Sequence, residues 1–279
     1  MWATYYLPKV SAPAELTGLS VTRPLTSLMK QLSTLFLLVA AVLPDHLRAN
    51  PDLANNLPEI AVVDDADWKA GSWISEHFNE GDWRDRWIVE GRAKVELENA
   101  MIQVDALDNG DREGENSTLW RREPLPADVL IEVIARVEPP ALKNAANVNL
   151  ILHAREPGGS PYLFGRNGTY PEYQKFPNYI MTFTGGTQQG WARLRRNPGF
   201  ELLHEVPTMR TEVGRTYRLR VMITGGRIRQ WIDGQLIHDF NDAKPLPGGA
   251  FGLRTWRTRI TWMAFRFTSL RRTEAPAKD

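Results

Sequence analysis

Trp231-Ile232-Asp233-Gly234-Gln235, followed by Pro247-Gly248-Gly249-Ala250-Phe251-Gly252-Leu253-Arg254-Thr255-Trp256, is the stretch that decides the fold. Two apolar runs bracket an Asp-Gly pair, whose backbone preferences suit the tight turn of a hairpin. A Gly-rich turn then leads into a further strand, as in a sandwich of antiparallel strands. Such an architecture presents a broad face to a ligand, and here that face would carry Arg and Trp.

Upstream, short strand candidates succeed one another with turn residues between them and no long helical period. The first set is Trp87 to Glu90, Ala93 to Leu97, Met101 to Leu107, Thr118 to Arg122, Val129 to Val137, Val148 to Ala154 and Tyr179 to Phe183. The second is Ala192 to Arg195, Phe200 to Leu203, Tyr217 to Ile223, Arg227 to Ile232, Ala250 to Thr255 and Trp262 to Phe267. That density of strands, undivided by any linker, predicts one all-β domain over 83–270, a two-sheet antiparallel jelly-roll sandwich. Residues 50–82 are acidic and irregular, and read as a lead-in that lays Trp68 and Trp73 against the sandwich. The tail 271–279 is charged and frayed.

The 279 residues, 42% hydrophobic and 24% charged, are ordinary globular material. With 34 Lys plus Arg against 33 Asp plus Glu, the net charge is only +1 and offers no global field to attract nucleic acid or an anionic membrane. Any electrostatic recognition must therefore be local. The absence of cysteine excludes disulfides and thiolate metal sites. Near the N-terminus, Lys30 precedes an apolar run from Leu32 to Leu43 and Leu47-Arg48-Ala49 supplies a cleavage site, the order of a signal peptide over 29–49. The run is too short for a stable membrane span, which takes roughly 20 apolar residues. Residues 1–28 read as an upstream extension of a chain that starts at Met29, and a secreted or periplasmic location is expected.

Alternation shows which faces are wet. In Val129 to Val137 every odd position is apolar, a plain core strand. In Asn147 to Arg155 the even positions Val148, Leu150, Leu152 and Ala154 look inward, which places Asn147, Asn149, His153 and Arg155 together on the opposite face. The connection from Glu156 to Asn178 carries Tyr162, Arg166, Tyr170, Glu172 and Tyr173 among Gly and Pro, and a loop of that length in a compact domain is usually functional. It ends beside Tyr179. Downstream, Trp191, Arg193, Arg195 and Asn197 share one side of a strand. Arginine forks match carboxylates and aromatic faces stack on sugar rings, so this mixture suits an acidic glycan. The alternative is a surface Arg cluster paired with Glu201 and Glu205.

Tyr170 to Glu205, with Asn-Tyr-Ile-Met-Thr-Phe and Arg-Leu-Arg-Arg-Asn-Pro-Gly-Phe, together with Arg227 to Asp239 and Gly249 to Thr258, resembles the YesU-like group of uncharacterised proteins. That group belongs to the concanavalin A-like lectin/glucanase superfamily. The Asp-Gly and Gly-Leu-Arg elements also look like the 3-keto-disaccharide hydrolase domain. The resemblance, over roughly Trp83 to Leu270, implies a concanavalin A-like jelly roll and a setting in bacterial polysaccharide breakdown; it brings no catalytic residues.

Three mechanisms compete. Laminarinase-type glucanases of this fold carry Glu-x-Asp-x-x-Glu or Glu-x-Asp-x-Glu on one strand, and neither occurs here. An eliminative lyase needs a cation to neutralise the uronate and a base to take its C5 proton. The leading expectation is therefore acid–base work by His153 and Tyr173, with substrate binding by Asn147, Asn149, Arg155, Tyr170, Tyr179, Arg193, Arg195 and Trp256. A lectin-like module without catalysis would use the same wet face, and a glycoside hydrolase of another type stays open. His153 could equally be a hydrogen-bonded sheet histidine, and Trp256 core. His204 and His238 lack metal-ligand spacing, so no metal site is expected; the pattern names no cofactor.

Overall fold

The computed structural model describes residues 57, 63–76, 78, 82–107, 116–140, 145–161, 165–187 and 189–273. The expected upstream extension 1–28, the expected signal peptide 29–49 and most of the tail lie outside the described residues. No helix among the described residues is long and apolar enough to cross a membrane.

Two antiparallel sheets stack face to face, as expected of a jelly-roll sandwich. The eight-stranded sheet runs β13 (Gln235–Asn241), β12 (Arg227–Ile232), β11 (Thr216–Thr224), β6 (Val129–Glu138), β15 (Arg259–Arg272), β4 (Met101–Asp105) and β3 (Lys94–Glu98). Its remaining strand, β1 (Trp68–Glu76), pairs with the far half of β15, beyond the part that pairs with β4. The seven-stranded sheet runs β10 (Glu201–Val206), β9 (Trp191–Asn197), β8 (Asn178–Thr184), β7 (Val148–Ala154), β14 (Ala250–Trp256), β5 (Asn116–Arg121) and β2 (Trp87–Gly91).

Alternating apolar side chains from both sheets fill the space between them. Val129, Ile131 and Val133 of β6 meet Leu150 and Leu152 of β7 and Phe251 and Leu253 of β14 in one continuous core. Two smaller apolar clusters lie on the outer faces. One puts Tyr173 and Phe176 of the long connection against Trp120, Ile151 and Ile180 of the seven-stranded sheet. The other puts Val63 and Trp68 against Leu130, Met222 and Leu270 of the eight-stranded sheet. The Asp-Gly pair makes the β12–β13 hairpin turn, with Asp233 at φ 50° and Gly234 at φ 81°, the left-handed pair that matches the strand twist.

Every segment expected as a strand overlaps one, and two further strands, β1 and β13, lie outside those segments. The sandwich begins at Trp68, not at 83, because β1 lies inside the supposed irregular lead-in. Its alternation is broken by a bulge between Ala70 and Trp73, which hides the period of two. Strand β13 is masked in the same way by a shift between Gln230 and Trp231 in its pairing with β12.

Candidate functional site

Pairing registers carry one polar side chain per strand across the whole seven-stranded sheet. Glu90 lies opposite Thr118 and Thr118 opposite Arg254. Arg254 then faces Asn149, Asn149 faces Thr182, Thr182 faces Arg193, and Arg193 faces Glu205. Because side chains in register share a face, this is a polar row on the outer side of the sheet. The next row towards Trp120, Gly252, Ile151 and Ile180 is apolar and is covered by the long connection.

The boundary between the covered and the open part of that face is a pocket of about 480 Å³. Its floor is Asn116, Asn147, Asn149, Thr182, Thr184, Arg193, Arg195 and Arg254; Trp191, Trp256, Phe200, Tyr170, Thr169 and Pro171 form its walls. A buried carboxylate fixes the connection that supplies Tyr170. Glu90 accepts hydrogen bonds from Trp120 Nε1 (2.7 Å), the Tyr173 hydroxyl (2.9 Å) and the Arg166 backbone N–H (3.0 Å).

Arg254 is the focus of the electrostatics. Only 3% exposed, it donates from Nη2 to Asn116 Oδ1 at 2.6 Å, while Nε has no partner among the described residues. Its guanidinium carbon lies 4.6 Å from the centroid of the Tyr170 ring and 5.8 Å from that of Tyr173. No carboxylate of the described residues pairs with it, and burial pulls its pKa down to about 10, which leaves it cationic at neutral pH. Beside it, Asn149 is buried with Oδ1 unpartnered. A buried polar group without a partner is costly unless something else satisfies it.

The other two arginines differ. Arg193 is paired with Glu205 and lies 4.4 Å from the Trp191 ring, so the surface ion-pair alternative holds for this residue. Arg195 donates to the Phe200 carbonyl at 2.9 Å and sits 4.0 Å over the Phe200 ring. Burial lowers its pKa, against a raising effect from Tyr170; Glu205 acts on it only at longer range.

Six expected residues thus converge on the pocket: Asn147, Asn149, Tyr170, Arg193, Arg195 and Trp256. Four do not. Alternation assigns His153 to the wet face with Asn149, but the β7–β14 register shifts between Ala250 and Gly252, so β7 holds one extra residue there. His153 takes that place with φ 50°, and a one-residue insertion reverses the facing of the residues beyond it. Ala154 therefore joins the outer cluster, while the His153 ring turns to the Tyr179 side at 6.3 Å, 1% exposed. Burial draws its pKa down to about 4, partly opposed by the backbone at Pro126 and Leu246.

Tyr173 is fully buried in the cluster under the connection, and burial with the neighbouring Glu90 carboxylate holds its hydroxyl well above the usual phenol range. Tyr179 points into the inter-sheet core by plain alternation, donating to Asp242 Oδ2 at 2.5 Å and accepting from Leu246 N–H at 3.0 Å. Arg155 spends its guanidinium on the carbonyls of Gly159 and Gly248.

Absent from the expected site residues is Arg254, although its stretch was expected to bring Arg and Trp to a ligand-facing side. The signal was present: Gly252, Arg254 and Trp256 alternate with Phe251, Leu253 and Thr255. No group of three or more His, Cys, Asp or Glu among the described residues could hold a metal ion.

Fold and pocket together define an antiparallel sandwich with an arginine-lined recess on one outer face. The chain belongs to the family described as a domain of unknown function (DUF6250), whose model matches residues 112–265. Among solved structures it is similar to a protein of unknown function with a galectin-like fold from Bacillus subtilis, at 18% identity and a TM-score of 0.60, over 74% of this chain and 100% of that one. It is also similar to the Bacillus licheniformis beta-glucanase, at 14% identity and a TM-score of 0.50, over 72% of this chain and 100% of that one. These likenesses show the fold, that of the concanavalin A-like sandwiches. No curated protein matches the chain.

Proposed function

We propose that the pocket recognises an acidic glycan, seating a sugar carboxylate against Arg254 and a sugar ring against the aromatic walls. The observation that carries this reading is a buried arginine in the pocket floor that has one hydrogen bond and no carboxylate partner among the described residues. A planar anion supplies what the guanidinium fork lacks, and uronate carboxylates have that geometry. Tyr170, Trp191 and Trp256 offer faces on which a ring can stack. That a beta-glucanase shares the fold supports a glycan over other anions. The signal peptide expected at 29–49 and the YesU-like resemblance fit the same reading, a secreted or periplasmic protein of polysaccharide breakdown.

Calorimetric titration with oligomers of galacturonic acid and with neutral glucose oligomers tests it. Binding of the acidic series alone, weakened at least about ten-fold in Arg254→Met, is expected from losing a charge-assisted hydrogen bond. Equal binding of neutral oligomers, or an unaffected Arg254→Met, overturns the reading.

Elimination is the second reading, and it moves from His153 and Tyr173 to Tyr170. No Asp, Glu or His lines the pocket among the described residues, which argues against a carboxylate-pair hydrolase. Tyr170 is the pocket side chain other than arginine that can exchange a proton, and it interacts electrostatically with both Arg195 and Arg254. As a phenolate base it would take the C5 proton; the C5–H electron pair would form the C4=C5 bond, the C4–O bond would break, and the phenol so formed would return that proton to the leaving oxygen. Ultraviolet absorbance of the unsaturated uronate, lost in Tyr170→Phe, supports this reading. No such product from a polymer that binds leaves a lectin-like module.

A further inference from the structure

Three arginines line the pocket, and one carboxylate, Glu205 of β10, reaches Arg193 from outside that lining. Glu205 is spent on Arg193, which leaves Arg254 and Arg195 without an ion pair among the described residues. Glu90, the next carboxylate along the polar row, is two strands from Arg254, about 10 Å at the usual strand spacing. It is already committed to three donors. The pocket therefore carries an excess of two positive charges.

These two charges are separated by aromatic rings. Arg254 lies 4.6 Å from the Tyr170 ring, Tyr170 stands edge-to-face with Phe200 at 5.6 Å, and Arg195 lies 4.0 Å over Phe200. On the backbone, β14 and β9 are three strands apart, about 14 Å. With two rings between the guanidinia, one carboxylate does not serve both. The two positions also differ in depth: Arg254 is buried, whereas Arg195 is only partly so.

We infer that the ligand carries two anionic groups on separate sugar residues, one seated at Arg254 and the other at Arg195 across the Tyr170–Phe200 pair. This rests on the acidic-glycan reading and adds to it a ligand class, oligouronates of at least two acid residues. Arg195 is then a specificity-determining residue, and its contribution is the one that salt screens, because screening acts on exposed charge far more than on buried charge.

The test is a titration series with a diuronate, the same disaccharide reduced to a neutral sugar at one residue, and the fully neutral disaccharide. The wild-type protein is expected to prefer the diuronate over the singly acidic disaccharide by about ten-fold, the size of one charge-assisted hydrogen bond. That preference should shrink towards unity in Arg195→Gln and also in high salt. Arg254→Met should weaken both acidic ligands. Equal affinity of the wild-type protein for the two acidic disaccharides overturns the two-anion inference and leaves the acidic-glycan reading standing. Binding of neither overturns both.

Discussion

The Arg254 guanidinium and the Tyr170 ring face each other at 4.6 Å, one brought by the interior strand β14 and the other by a 3₁₀ turn of the long connection. Cation and ring are held by independent parts of the chain, so the pocket exists only while the connection stays docked. That docking depends on Glu90 and the cluster around Tyr173 and Trp120.

Arg254→Met should separate binding from stability. A buried charge with a single hydrogen bond pays a desolvation penalty that an apolar side chain of similar length does not. Thermal unfolding of the variant is therefore expected at or slightly above the wild-type Tm, while acidic-ligand affinity falls. A large drop in Tm would show that Arg254 is needed by the fold itself.

Glu90→Ala should act on the connection. It leaves the Tyr173 hydroxyl, the Trp120 indole N–H and the Arg166 N–H without their acceptor in a buried setting. A loss of about 2–4 kcal/mol in denaturant unfolding is expected, since buried partners of a lost charge remain unsatisfied. Hydrogen exchange should rise in 165–176 more than in β7 or β14; uniform exchange across the sheet would contradict the anchoring role.

Gly252→Ala should reach the same place by another route. A Cβ at this position would meet Trp120 ring carbons at 2.7 and 2.8 Å, and the ring is packed against Tyr173. Moving it pulls the indole away from Glu90. Overpacking of this kind costs about 1–3 kcal/mol, and tryptophan fluorescence should shift together with the loss of stability.

Mild acid should destabilise the protein through its buried histidines. Burial draws His153 and His238 down from 6.5 to about 4, with His204 adding to the effect on His238. Unfolded histidines bind protons below about pH 6.5 while the folded ones stay neutral, so stability falls as pH drops from 6.5 towards 4. His153→Asn keeps a residue that tolerates positive φ and removes one titrating group. Its Tm should therefore fall less steeply over that range; an unchanged slope would rule out the contribution of His153.

The fold was legible because its signals are local. The Asp233-Gly234 turn, the alternation of Val129 to Val137 and the even spacing of strands each derive from the backbone preferences of a few residues. The site was half legible for the same reason: Asn149, Arg193 and Arg195 lie on the face that a period of two assigns to them. His153 was misplaced by one inserted residue, which no period reveals from β7 alone because it is defined against the pairing of β14.

What the sequence by itself determined is therefore the sandwich and the polar character of one sheet face, since both rest on side-chain alternation along single strands. Which polar residues meet, and which of them find a partner, was decided only by the tertiary structure. Arg254, Asn149 and Arg193 come from strands far apart in the chain and share a row through pairing registers, while Arg254 lacks a counter-charge because Glu90 and Glu205 at the ends of that row are already bound elsewhere. Registers and counter-charges are relations between distant segments, and a single strand holds no record of either.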